Sequence, residues 1–239
     1  MRKFLQTVWI APLLLSCGEA DQTSAPQQTW SPAAPLPAFR PTCSPDDSVR
    51  APAPGTTFVY EIRTAGQAVS ADRIRETVLS SDRDRATVGL SQFTGEQRLN
   101  SSEATRLLGL VPAEARSIHY WRRYELGPEA AQAILDLSVG ETESWAVGET
   151  TDVTGEETTS AGAFEVTLLG CGSYEVNGRE WPTRVYRVST FFTSVDREDR
   201  VSQATTSSVF EYLPDIGWWA SQTDGSPTSG QLIRVEEPS

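Results

Sequence analysis

Hydrophobic and polar residues alternate along most of this chain with a period of two. After the breaker Pro54-Gly55, Phe58, Tyr60 and Ile62 alternate with Val59, Glu61 and Arg63. Ile74, Val78 and Leu79 lie in a second β-prone run, and Val88, Leu90 and Phe93 in a third. Further runs cover 118–124, 144–147, 164–169, 184–193, 208–213, 218–222 and 231–235. Successive strand residues point to opposite faces, so this period predicts strands. Thr, Val and aromatic residues fill the runs and polar clusters separate them, as a mainly antiparallel β domain over 55–236 requires. Val176-Asn177-Gly178-Arg179 is the clearest hairpin signal, because Asn-Gly suits a type I′ turn. Asp82-Arg83-Asp84, 196–200 and Asp224-Gly225 read as further turns.

Two stretches break the period and predict short helices. Asn100-Ser101-Ser102-Glu103 has the form of an N-cap with an acid three residues on, leading into 104–108. Pro128 followed by good helix formers predicts a helix over 128–135. Gly55, Thr57, Tyr60 and Ile62 share their spacing with Gly140, Thr142, Trp145 and Val147, a faint echo of two similar strand starts.

The first residues set an address. Arg2 and Lys3 precede a mostly apolar run over 4–15, too short to span a bilayer but suited to a signal-peptide core. Leu14-Leu15-Ser16-Cys17 resembles the lipobox of bacterial lipoproteins, with Leu15 where a smaller or β-branched residue is more usual. The resemblance implies cleavage after residue 16 and a diacylglycerol on the Cys17 thiol. Ordinary signal cleavage after Gly18-Glu19-Ala20 is the alternative. Because residue 18 is Gly rather than Asp, the resemblance implies sorting to the outer membrane; the periplasmic side is favoured over surface exposure, between which the sequence itself does not decide. Two or more acyl chains anchor stably where one is marginal.

Residues 17–54 form the next unit, rich in Pro, Ala, Ser, Gln and Thr. Such a segment buries too little apolar surface to order itself, so it reads as a tether. From Gly18 to Thr42 it reaches roughly 75 Å at about 3.1 Å per residue. Trp30 and Phe39 within it read as incidental.

The C-terminal stretch from Phe210 through Tyr212, Pro214 and Gly217 to Trp218 reads as strand, tight turn, strand. It resembles the closing hairpin of some uncharacterised bacterial envelope β-proteins, similar to lipoprotein carriers with half-barrel folds. The expected fold is therefore mainly β, a curved antiparallel sheet of half-barrel or sandwich-like form, with one or two short helices.

Charge narrows the partners. Removing residues 1–16 takes Arg2 and Lys3 from a net charge of −12 and leaves −14. An acidic chain whose other basic side chains are dispersed arginines is repelled by phosphate backbones, so no nucleic acid is expected. After Cys17 only Cys43 and Cys171 remain, and an even pair in an oxidising compartment predicts a disulfide. It would end the tether by stapling it to the domain.

Candidate chemistry is sparse. His119 is the single histidine and sits in a strand-like run, there is no G-x-S-x-G elbow, and no catalytic residue is assigned. One histidine also nearly excludes a zinc site. Glu149, Asp152, Glu156 and Glu157 read as a solvated acidic loop, lacking the D-x-D-x-D-G pattern of a calcium loop. No cofactor and no metal are expected.

The informative feature is three aromatic doublets, Tyr120-Trp121, Phe191-Phe192 and Trp218-Trp219. In a sheet with one wet face each doublet leaves a ring in water, so three doublets imply that both faces are partly covered. Packing is one account, and a candidate binding face for an apolar or sugar ligand is the other. Arg122 and Arg123 would extend that face, or split into one exposed and one paired side chain. These readings define a non-catalytic envelope lipoprotein that binds a lipid-like ligand or an envelope protein. A cell-wall or glycan-binding module and a hydrolase with an unrecognised site are the alternatives.

Overall fold

The computed structural model describes residues 43, 51–64, 72–94, 96–116, 120–127, 129–153, 156–195, 201–224 and 228–238. The signal segment, the tether up to Thr42, Cys17 and His119 lie outside the described residues.

Among the described residues the alternating runs become twelve strands and one helix. They are β1 (Thr57–Thr64), β2 (Asp72–Asp82), β3 (Arg85–Thr94), β4 (Gln97–Leu107), β5 (Val111–Arg116) and β6 (Tyr120–Tyr124). After α1 (Ala130–Asp136) come β7 (Thr142–Val153), β8 (Glu156–Val176), β9 (Arg179–Val195), β10 (Val201–Leu213), β11 (Trp218–Asp224) and β12 (Thr228–Glu236). Each strand pairs antiparallel with its neighbours in sequence, and β1 pairs with β12, so the sheet closes into a barrel.

Closure corrects the half-barrel or sandwich expectation. Strand periodicity is the same in an open and a closed sheet; the pairing of Thr57–Thr64 with 228–236 decides between them. The 100–108 helix is also corrected, since Gln97–Leu107 is strand β4, paired with β3 on one side and β5 on the other. The capping-like pattern there loses to two ladders of hydrogen bonds and to the cross-strand Thr87–Thr105 hydroxyl pair at 2.9 Å. The predicted 128–135 helix is α1. Seven residues are too few for a stable isolated helix. Burial of Ala130, Ala131 and Ile134, and the Arg184 guanidinium donating to Leu135 O at 2.7 Å, hold it in place.

The barrel is apolar inside and polar outside. Phe58, Tyr60, Val88, Phe164, Val166, Leu168, Tyr186 and Phe210 are buried at positions that alternate with Arg75, Thr87, Arg187 and other polar residues. Thr57–Thr77, Thr142–Thr167 and Ser189–Ser207 add hydroxyl contacts between strands at 3.0, 2.8 and 3.1 Å.

The turns at 83–84, 108–110, 177–178 and 214–217 gather at one end with α1, called here the helix end. The connections at the other end, including 65–71, 117–119, 154–155, 196–200 and 225–227, lie outside the described residues. Asn177 and Gly178 have φ of +54° and +71°, the type I′ geometry that Asn-Gly predicts. Gly55 and Gly140, the first residues of the sequence echo, both adopt positive φ two residues before a strand. Those strands, β1 and β7, stand six places apart in the ring.

The β8–β9 hairpin projects past its neighbours as an arm. β10 stops pairing with β9 at Arg184, and a bulge between Leu168 and Gly170 re-aims β8. Pro182, which has no N–H to offer a further strand, lies on the uncovered stretch of β9. The arm meets β12, where Tyr174 OH donates to Leu232 O at 3.0 Å and Asn177 Nδ2 donates to Val235 O at 2.8 Å.

Candidate functional site

Cys43 and Cys171 are joined as a disulfide with Cα atoms 5.5 Å apart. The bond ties the end of the Pro-rich segment to the root of the arm.

The six aromatic residues of the candidate face do not share one surface. Phe191 is 38% exposed on the outer wall, whereas Phe192 points inward and meets Phe164 edge-on at 5.9 Å. Gly162 clears the space for the Phe192 ring, since a Cβ there would stand 2.3 Å from it. Trp121 is half-buried and its Nε1–H donates to Glu114 Oε1 at 2.7 Å. The Tyr120 side chain lies outside the described residues.

Trp218 and Trp219 are both buried, at 0% and 2% exposure, although strict alternation would send them to opposite faces. The pair opens β11 beside the 214–217 turn, in register with Leu213 and Tyr212, and a shift just after it leaves Ala220 unpaired. Trp218 stacks on Phe58 at 5.4 Å and Trp219 on Tyr60 at 3.9 Å. Gly109 lets the neighbouring turn close on Trp218, because a Cβ there would meet the indole at 2.7 Å. Consistent with this inward turn, β11 pairs with β12 over three residues only. Of the described doublet residues, Phe192, Trp218 and Trp219 serve the core, Trp121 is half-buried and Phe191 is exposed.

The polar chemistry inside the barrel comes from residues outside the aromatic set. Glu76 is fully buried on β2, with Trp218 Nε1 donating to its Oε2 at 3.0 Å and Arg106 Nη2 reaching its Oε1 at 3.5 Å. Burial raises the Glu76 carboxyl above its ordinary value of 4.5, against the opposing pull of Arg106 and the Trp218 and Trp219 indoles. Burial first, and then the Glu76 charge, holds the Tyr60 phenol well above 10. It stays protonated and donates to Trp219 O at 3.0 Å. The signal for Glu76 was in the sequence: it shares strand parity with Ile74 and Val78, which marks an inward position.

A second pair lies further round the ring, on the neighbouring strands β6 and β7. Arg122 Nε stands 2.7 Å from Glu149 Oε1, an ion pair too bent to count as a hydrogen bond. Ser160 Oγ donates to Glu149 Oε2 at 3.0 Å. Arg123 is exposed, so the two arginines split as strand neighbours do. The supposed acidic loop is also revised: Glu149 and Asp152 lie on β7, and Glu156 and Glu157 on β8. Among the described residues no cluster of three His, Cys, Asp or Glu side chains is arranged to hold a metal ion.

On the outer wall, a groove of about 160 Å³ is lined by Val185, Val209, Glu211, Ser221, Thr223 and Gln231. It is well below the roughly 300–1,000 Å³ of small-molecule pockets.

No family model matches the chain, and neither does any curated protein. Solved structures give distant fold similarity. The hypothetical lipoprotein YmcC from Escherichia coli (K12) is 10% identical with a TM-score of 0.44, over 76% of this chain and 84% of that one. A Parabacteroides distasonis ATCC 8503 protein with a provisional lipoprotein name is 6% identical with a TM-score of 0.46. That match covers 78% of this chain and 97% of the other.

Proposed function

We propose that this chain is an outer-membrane lipoprotein, anchored through Cys17 on the periplasmic side, whose barrel is a non-catalytic module that engages an envelope partner. The observation that carries this reading is the polarity of the barrel. A barrel that crosses a bilayer presents an apolar band outward and a polar interior. This one is built the other way, so its contact with membrane falls to the lipobox cysteine and the Pro-rich leash. The buried carboxylates of Glu76 and Glu149 are each committed to an arginine and a hydrogen-bond donor, which favours a structural role for them over acid–base chemistry.

A protein partner on the outer wall is favoured over an apolar ligand inside or a glycan stacked on Trp218 or Trp219. Both indoles are already stacked on rings of β1 and closed off from solvent. Metabolic labelling with an alkyne-bearing palmitate tests the anchor. The expected result is a labelled protein in the outer-membrane fraction and an unlabelled Cys17→Ala variant. Label that persists in Cys17→Ala overturns the reading.

A further inference from the structure

We propose that the Cys43–Cys171 disulfide is a thiol-sensitive brace that sets where the N-terminal leash leaves the barrel and secures the root of the β8–β9 arm. The placement of its two ends carries this. Ala51 N–H donates to Arg83 O, at the turn between β2 and β3. Cys43, eight residues earlier, is bonded to β8. In the ring of twelve strands β2 and β8 stand six places apart, on opposite sides. Eight residues extend to about 27 Å at most. The two attachments therefore stand on opposite walls of the barrel.

Beyond Cys171 the arm rests on β12 through Tyr174 and Asn177, by side-chain bonds to Leu232 O, Val235 O and Val235 N. No strand ladder joins arm and β12, and no ladder of the barrel runs through Cys43. Both cysteines are half-buried rather than fully enclosed, and exchange needs a thiolate to reach only one of the two sulfurs.

The exchange balances without any further reagent. One thiolate of a dithiol attacks a protein sulfur, the Sγ–Sγ bond breaks and a mixed disulfide forms. The second thiol displaces it, leaving two protein thiols and the reagent as its own disulfide. The leash then leaves the barrel not at β8 but at the Ala51–Arg83 hydrogen bond, at the β2–β3 turn on the far wall. Its length grows by eight residues, about 25 Å at ~3.1 Å per residue. The consequence for the leash rests on the anchored reading above; the consequence for the arm does not.

The full chain carrying Cys17→Ser, purified in detergent, is compared oxidised, reduced with dithiothreitol, and as the added Cys43→Ser/Cys171→Ser variant. Hydrogen exchange and trypsin cleavage are followed. Reduction and the double variant are expected to raise exchange about tenfold over 171–183 and 232–236. They should also speed cleavage after Arg50, while β3, β4 and β5 keep their protection. An unchanged arm overturns the proposal, as does a uniform rise through every strand, which makes the bond a staple of the whole fold. Resistance of the native bond to the reductant overturns it too. Acyl labelling of Cys17 reports on the anchor separately, so failure of one reading is not mistaken for failure of the other.

Discussion

Two arginine–carboxylate pairs sit inside the same barrel and are built on opposite principles. Glu76 and Arg106 stand 3.5 Å apart with side-chain exposures of 0% and 6%, and the carboxylate takes its shorter bond from the Trp218 indole. Arg122 and Glu149 approach to 2.7 Å with exposures of 14% and 6%, and Ser160 supports the carboxylate. In the first pair the charge is spread into an aromatic stack at the helix end; in the second it is met by direct contact between neighbouring strands. A buried charge is costly unless its remaining lone pairs and protons are satisfied; each carboxylate gains a donor beside its arginine, by a different route, while the buried Arg106 Nε makes no hydrogen bond.

The comparison breaks most severely at Trp218. Trp218→Ala removes a fully buried ring and the nearest donor to Glu76, and should cost about 4–5 kcal/mol in urea unfolding. The matched Trp121→Ala, half-buried at the edge of β6, should cost much less. Equal losses would show that the aromatic stack is not what carries the first pair.

Next comes removal of each cation. Arg106→Leu should cost about 3 kcal/mol at neutral pH, and Arg122→Leu about 2 kcal/mol. The first loss should shrink in acid, because Glu76 can take up a proton. A loss from Arg106→Leu that does not change with pH would contradict a carboxylate already raised by burial.

The pH dependence sharpens the same point. The folded Glu76 carboxyl holds its proton more readily than the unfolded one. Its charged form therefore costs stability above the folded value, and that cost is relieved as pH falls towards 4.5. Glu76→Gln should abolish this contribution, flattening the slope of stability against pH above 4.5 relative to the unsubstituted protein. The smallest effect is expected at the arm tip. Asn177→Ala should cost about 1 kcal/mol for its bonds to Val235, measured as a shift in the urea midpoint.

Strand after strand was legible in the sequence because alternation and burial obey the same period. Phe58, Tyr60, Val88 and Leu90 fall inward where the pattern put them. Closure was not legible, since it depends on β1 finding β12 across more than 150 residues. The strand at Gln97–Leu107 was lost to a local capping pattern that two flanking ladders outweigh. The doublets did not mark two covered faces, since Phe191 stays exposed while Trp218 and Trp219 are buried together, which alternation could not foresee. Glu76 and Arg106 could have been suspected, because each shares its parity with apolar neighbours; their meeting depends on strands that are not adjacent.

On the anchored reading proposed above, the proline on the projecting arm has a bearing on life at a crowded surface. Beyond Arg184 the rim of β9 has lost its partner strand, and a bare rim is where identical chains add to one another. Molecules held to a common sheet of lipid encounter their own kind far more often than free ones do. A missing amide hydrogen at Pro182 interrupts that rim at its middle, so neighbours can collide there without zipping together.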